Sequence, residues 1–211
     1  MTLALLHTSP VHVPVFDALR DADHPGTALR HVVREELLAT AAALGPEAVA
    51  DEVEAVVADL VAEGADAVLC TCSTIGAVAE AAGVAAGVPV LRVDRPMAAA
   101  AVRAGRVTVL AALTSTLEPT RALLTEEAAG AGLPADVRTV LVDGAWDRFT
   151  AGDSDGFLDL VAASADEVRD ADVIVLAQGS MAGAAERTTT AIPVLSSPRP
   201  GLAAAVAAAG R

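Results

Sequence analysis

One strand-and-turn segment of this chain occurs twice, and that repeat restricts the possible folds more than any other feature. Residues 65–77 align without a gap on residues 171–183, at an offset of 106 positions. The same offset places Thr8-Ser9 on Thr114-Ser115, in each case after an apolar run. The remaining matches, in the same order, are 88–91 with 192–195 and Pro96 with Pro200. This shared order predicts two copies of one structural unit.

Each copy alternates short apolar runs with Ala-rich helical stretches. Runs that are apolar throughout are typical of parallel strands buried on both faces, and strand–helix alternation gives βαβ units. The sequence therefore predicts an α/β fold of two pseudo-symmetric, doubly wound parallel-sheet lobes. The predicted first lobe is 1–95 plus 196–211, and the second is 96–195. The predicted strands are 2–7, 66–71, 88–92, 106–112, 138–142, 171–177 and 192–195, and the predicted helices are 27–44, 47–63, 75–86, 96–104, 117–131, 154–169 and 198–209.

Composition excludes several classes of partner. The net charge is −14 and aromatic residues make up 2% of the 211 residues, so the chain would repel nucleic-acid backbones and anionic membrane surfaces and lacks stacking platforms. No apolar run reaches the length of a membrane-spanning helix, and the first residues lack the basic region of a signal peptide. The only cysteines, Cys70 and Cys72, form neither a disulfide framework nor a zinc site. We expect a cytoplasmic protein without a metal, a nucleic-acid partner or a membrane partner.

Hydroxyl, thiol and amide side chains follow four of the predicted strands. Doubly wound sheets bind ligands beyond the carboxyl ends of their strands, and helix N-termini favour anions. We therefore expect a small carboxylate to bind in a cleft between the two lobes. The segments concerned are Thr8-Ser9, Cys72-Ser73-Thr74, Thr114-Ser115-Thr116 and Gln178-Gly179-Ser180.

These segments, together with residues 110–120, resemble the aspartate/glutamate/hydantoin racemase superfamily. The resemblance implies homodimeric assembly and acid–base chemistry without pyridoxal phosphate or metal. It also implies one cysteine from each lobe beside the substrate α-carbon, and Cys72 matches the first of these. The second position is Gln178 by the internal alignment, and the chain has no third cysteine. Because an amide neither takes up nor releases a proton near neutral pH, symmetrical two-thiol racemisation is not available.

The resulting hypothesis is a cofactor-independent isomerase of this superfamily that acts on an amino acid, a hydantoin or a dicarboxylate. Cys72 would be base or nucleophile, Gln178 would stabilise developing negative charge, and the Ser and Thr segments with Gly179 would hold the carboxylate. His7 or His12 could be a second acid or base. Two alternatives within the superfamily are an arylmalonate-type decarboxylase and a maleate-isomerase-like enzyme, each with a single essential cysteine. An alternative of another class is a carboxylate-binding sensor without turnover.

For Cys70 and His31 the sequence favours a structural role over a catalytic one. Cys70 precedes Cys72 on the same predicted strand and is interpreted as a core residue. His31 lies four residues before Glu35 on a predicted helix, a spacing that favours an ordinary surface pair.

Overall fold

The computed structural model describes residues 1–210, and their eight strands form two parallel sheets. The strands are β1 (Thr2–His7), β2 (Ala28–Val33), β3 (Ala67–Cys70), β4 (Val90–Arg92), β5 (Val107–Ala111), β6 (Val137–Leu141), β7 (Val173–Leu176) and β8 (Val194–Ser196).

Helices connect successive strands, as parallel pairing requires. They are α1 (His12–Asp23), α2 (Glu35–Leu44), α3 (Ala50–Ala62), α4 (Gly76–Ala86), α5 (Arg95–Ala104), α6 (Thr114–Ala131), α7 (Ala145–Thr150), α8 (Ser154–Glu167) and α9 (Pro198–Ala209), with 3-10 segments at Pro46–Val49 and Gly179–Glu186.

The two sheets have the same topology. The first has the strand order β2-β1-β3-β4 and the second the order β6-β5-β7-β8, and all six pairings are parallel. β7 lies 106 positions after β3, and β8 lies 104 positions after β4, which are the two offsets of the sequence repeat. The predicted fold class, two pseudo-symmetric doubly wound α/β units, is confirmed.

The chain divides into two compact units, each with its own core. Unit 1 consists of Met1–Asp94 and the chain from Pro198 onward, and unit 2 is Arg95–Ser197. Successive residues of β1 alternate between two apolar clusters on opposite faces of the first sheet, with Leu3 and Leu5 in one and Ala4 and Leu6 in the other. Both faces of each sheet are therefore buried, which is why the strands are apolar throughout.

One predicted helix was wrong in its first half. Residues 27–44 contain the edge strand β2 and then α2, and β2 pairs with β1 over six residues. Ala, Leu and Arg have high helix propensity, but pairing with a buried neighbouring strand overrides that preference. α1 was not predicted because it contains Pro14, which the first turn of a helix tolerates. Neither α7 nor the 3-10 segment Gly179–Glu186 was predicted, and α6 was predicted without its first turn.

Within residues 1–210, no helix combines the length and the apolar character needed to cross a membrane.

Candidate active site

Cys72 lies in the turn that joins β3 to α4. The backbone N–H of Thr71 donates to the carbonyl of Leu6 at 2.9 Å, which extends the β1–β3 pairing to the edge of the turn. Cys72 is 9% exposed, whereas Cys70 is 0% exposed. The Cys70 thiol donates to the Cys72 carbonyl at 3.6 Å. Burial raises the pKa of the Cys70 thiol, with a further contribution from Cys72, so Cys70 stays a neutral thiol, consistent with the core role predicted for it.

A buried ion pair supports this turn from the neighbouring strand. Arg92 on β4 binds Asp94 through two hydrogen bonds of 2.7 and 3.0 Å, and its Nη2 donates to the carbonyl of Ser73 at 3.2 Å. A Cβ atom at Gly76 would lie 2.8 Å from the Nε of Arg92, so only glycine leaves room for the guanidinium. Burial alone would lower the pKa of Arg92, but the charge and hydrogen bonds of Asp94 raise it overall. Arg92 therefore stays charged and holds the Ser73–Thr74 peptide in place.

His7, at the end of β1, is fully buried in a chain of hydrogen bonds. Its Nδ1 lies 2.8 Å from the Oγ1 of Thr71, and its Nε2 lies 2.8 Å from the Nδ1 of His31. His31 in turn lies 3.4 Å from the Oδ1 of Asp17 on α1. Burial, with the neighbouring charges of His31 and His12, lowers the pKa of His7 to about 3. His7 is therefore neutral at physiological pH.

His12 is the first residue of α1. Its ring stacks on that of His7 with centroids 6.3 Å apart, and burial lowers the pKa of His12. Thr8 is buried and Ser9 half-buried in the turn between β1 and α1. The predicted helical position of His31 is also wrong, because His31 lies on β2 opposite Leu5 and contacts His7 instead of Glu35.

The candidate residues of unit 2 lie at the carboxyl ends of β5 and β7. Thr114, Ser115 and Thr116 form the first turn of α6, which begins three residues earlier than predicted. The Oγ of Ser115 is buried and has no hydrogen-bond partner among the described residues. Gln178 accepts a hydrogen bond at its Oε1 from the backbone N–H of Ala112 at 2.7 Å, so the amide oxygen is already occupied.

Gly179 and Ser180 begin the 3-10 segment that follows β7. Within each unit, the candidate residues thus gather at the carboxyl ends of adjacent strands: β1 and β3 in unit 1, β5 and β7 in unit 2. Among the described residues, no group of three or more His, Cys, Asp or Glu side chains is arranged to hold a metal ion.

Four residues of the Cys72 turn and of the histidine hydrogen-bond chain were not identified from the sequence: Asp17, Thr71, Arg92 and Asp94. Asp17 lay in a segment without a predicted helix, so nothing placed it near His31. Arg92 and Asp94 stand at a strand end in an otherwise apolar region, and two opposite charges at that position are the only signal that could have indicated a buried pair.

Two α/β units, each with a parallel sheet of the same topology and with thiol or hydroxyl side chains at the strand ends, define a class of two-unit α/β proteins with polar strand-end sites. The family profile described as Asp/Glu/Hydantoin racemase matches residues 13–209. The chain therefore belongs to the Asp/Glu/hydantoin racemase family, and membership supports a racemase-like enzyme. No curated protein sequence matches it significantly.

Solved structures of this family have the same fold. A glutamate racemase isoform from Bacillus anthracis aligns with a TM-score of 0.74 at 16% identity, covering 98% of this chain and 80% of that one. Allantoin racemase from Klebsiella pneumoniae aligns with a TM-score of 0.65 at 18% identity, covering 98% and 86%. Arylmalonate decarboxylase aligns with a TM-score of 0.60 at 20% identity, covering 100% and 93%. At these identities the likeness establishes the fold.

Proposed function

We propose that the protein is a cofactor-independent enzyme that acts on a small carboxylate through the thiolate of Cys72. The observation that carries this proposal is the position of Cys72, which lies at the carboxyl end of a buried parallel strand, just before a helix, and keeps 9% of its surface exposed. Ligands of doubly wound sheets bind at this edge. Thiolates are both the nucleophilic and the basic form of cysteine, and a helix N-terminus stabilises them.

The carboxylate of the substrate would be held by hydroxyls and backbone N–H groups at the strand ends. Ser73 and Thr74 adjoin Cys72, and Thr8 and Ser9 lie at the end of the neighbouring strand. In unit 2, the Ser115 hydroxyl is buried without a protein partner among the described residues, which suits a group that donates its hydrogen bond to a ligand carboxylate. Thr114, Thr116, Gly179 and Ser180 would offer further hydroxyls and backbone N–H groups at the strand ends of unit 2.

The residue at the second cysteine position restricts the reaction. Gln178 has no titratable proton, and its amide oxygen accepts from Ala112, which leaves the NH₂ group to donate toward a developing oxyanion. A reaction with one thiol is therefore favoured: one-sided proton exchange, isomerisation of a double bond, or decarboxylation. Racemisation would need a second proton donor such as His7 or His12.

The proposal can be tested by proton NMR in D₂O with pooled aspartate, glutamate, hydantoins, maleate and arylmalonates. We expect wild-type protein and Cys70→Ala to change one substrate, and Cys72→Ala to leave all of them unchanged. The product identifies the reaction, since α-deuteration, a racemate, a shifted double bond and loss of CO₂ give different spectra. Equal turnover by wild type and Cys72→Ala would refute the role of Cys72.

The non-catalytic alternative makes a different prediction in the same samples. A carboxylate sensor would broaden the resonances of one compound without converting any. Cys72→Ala would then bind that compound about as well as wild type does.

We further propose a cytoplasmic homodimer, on the basis of family membership. Light scattering after size-exclusion chromatography tests the dimer, which has twice the 21.1 kDa mass of the chain.

A further inference from the structure

Four side chains of unit 1 form a continuous line of hydrogen bonds across the carboxyl end of the first sheet. The line runs from Asp17 on α1 to His31 on β2, His7 on β1 and Thr71 after β3, with contacts of 3.4, 2.8 and 2.8 Å. These strands are neighbours in the order β2-β1-β3. The inner end, Thr71, directly precedes Cys72, and the outer end, Asp17, is 41% exposed.

Hydrogen-bond directions along this line can be worked out from the donors and acceptors present. Each neutral histidine has one N–H donor and one acceptor nitrogen, and a threonine hydroxyl has one proton. In one arrangement the Thr71 hydroxyl donates to His7 Nδ1, His7 Nε2–H donates to His31 Nδ1, and His31 Nε2–H donates to Asp17. The backbone carbonyl of Leu6 is still satisfied, because the N–H of Thr71 donates to it at 2.9 Å. Every group is then paired, and both histidines are neutral.

A second arrangement contains one more proton. The Thr71 hydroxyl donates to the carbonyl of Leu6 at 3.2 Å, so its oxygen accepts from His7 Nδ1–H. His7 Nε2 must then accept from His31 Nδ1–H, while His31 Nε2–H donates to Asp17. His31 is therefore an imidazolium next to a carboxylate, and every group is again paired.

The two arrangements interconvert by the passage of one proton. A proton donor at the strand-end turn, either the Cys72 thiol or hydronium, loses its bond to hydrogen as a new O–H bond forms on Thr71, and the original hydroxyl proton moves to His7 Nδ1. The Nε2 proton of His7 moves to His31 Nδ1, and the positive charge comes to rest beside Asp17. Three bonds to hydrogen form and two break within the network, which gains one proton and one charge. His7 changes tautomer and is never itself left as a cation, in keeping with its burial.

We propose that Thr71, His7, His31 and Asp17 form a proton relay between the Cys72 segment and solvent. The proposal rests on the proposed function, because the relay would carry to solvent a proton released at the turn that holds Cys72. His7 and His31 transmit protons and do not contact the substrate in this scheme. The other charged or titratable groups that face the relay are His12, stacked on His7, and Arg20, which donates to Asp17 at 3.3 Å.

The first test needs no substrate and therefore does not depend on the proposed function. Nitrogen-15 NMR of histidine-labelled protein distinguishes the two ring tautomers, and we expect His7 to change from the Nε2–H to the Nδ1–H form as pH falls. The change should share one midpoint with protonation of His31. In Asp17→Asn the form with the extra proton should be less populated at the same pH, because the carboxylate beside His31 is gone. A His7 tautomer that does not follow His31 would overturn the relay.

The second test uses whichever carboxylate the enzyme converts. Thr71→Val keeps the shape of the side chain but removes the hydroxyl, whereas Thr71→Ser keeps the hydroxyl. We expect Thr71→Val and His31→Gln to lower kcat at least tenfold with little change in KM, and Thr71→Ser to retain most of the activity. Wild-type kcat in Thr71→Val would overturn the relay and leave Cys72 chemistry intact. If no carboxylate is converted at all, the proposed function fails while the NMR test still decides the tautomer change.

Discussion

Arg92 and Asp94 form a salt bridge with side-chain exposures of 2% and 0%, and the same guanidinium holds the carbonyl of Ser73 next to Cys72. A buried ion pair stabilises a protein no more than apolar residues of the same volume would, but removal of one partner leaves an uncompensated buried charge. The pair therefore matters for the position of the turn, and its loss should be costly.

We expect Asp94→Asn to lower the free energy of unfolding by about 3–5 kcal/mol, because Arg92 stays buried without a counter-charge. Urea denaturation of the purified variant measures this change. The matched control is Glu118→Gln, which breaks an exposed pair with Arg121 and should change the free energy of unfolding far less than Asp94→Asn does. Equal stability losses in the two variants would show that Arg92 is not desolvated.

Only one of the two thiols should react quickly with an alkylating reagent. Cys72 keeps 9% of its surface exposed at the strand end, whereas Cys70 is 0% exposed, and burial raises the pKa of the Cys70 thiol. Intact-mass spectrometry after brief exposure of native protein to iodoacetamide should show one adduct, which peptide mapping places at Cys72. Cys70→Ala should leave that adduct unchanged, and Cys72→Ala should abolish it. A first adduct at Cys70 would contradict the assigned environments.

Gly201 lies against strand-end backbone. An added Cβ would lie 2.3 Å from the carbonyl oxygen of Val93, which cannot move aside as the end of a side chain could. We expect Gly201→Ala to destabilise the protein by about 1–3 kcal/mol, although alanine favours the helix. Gly130, inside α6, has no atom within 4 Å of the position that an added methyl group would take, and Gly130→Ala should stabilise by about 0.5–1 kcal/mol. Thermal unfolding tests both expectations: the Tm should fall in Gly201→Ala and rise in Gly130→Ala.

The sequence repeat was sufficient to predict the fold, because strand burial and strand–helix order depend on local patterns that survive in both copies. The failures occurred where tertiary contacts override local preference. β2 has the composition of a helix, so His31 was placed on a helical surface when its true neighbour is His7. Asp17 was missed for the same reason, since the Pro-containing start of α1 looked like a loop. A hydrogen-bonded line across three strands depends on strand order and register, and neither can be obtained from one sequence.

The depressed pKa of His7 makes stability depend on pH in a defined direction. The folded protein binds a proton at His7 only near pH 3, whereas a histidine in the unfolded chain does so near 6.5. Between these values the unfolded state binds more protons, so the free energy of unfolding falls as pH falls. Between pH 7 and pH 5 we expect protonation linked to His7 to lower the free energy of unfolding by about 2 kcal/mol. The lowered pKa of His12 acts in the same direction, so a variant is needed to separate the two.

His7→Gln provides that separation. The amide can still reach His31 but does not titrate, so the variant should be less stable than wild type at pH 7 because its bond to Thr71 is lost. Between pH 7 and pH 5, the free energy of unfolding should fall by about 2 kcal/mol less in His7→Gln than in wild type. Chemical denaturation of both proteins at the two pH values gives the difference directly. Parallel losses in wild type and His7→Gln would show that His7 is not the group whose protonation opposes folding.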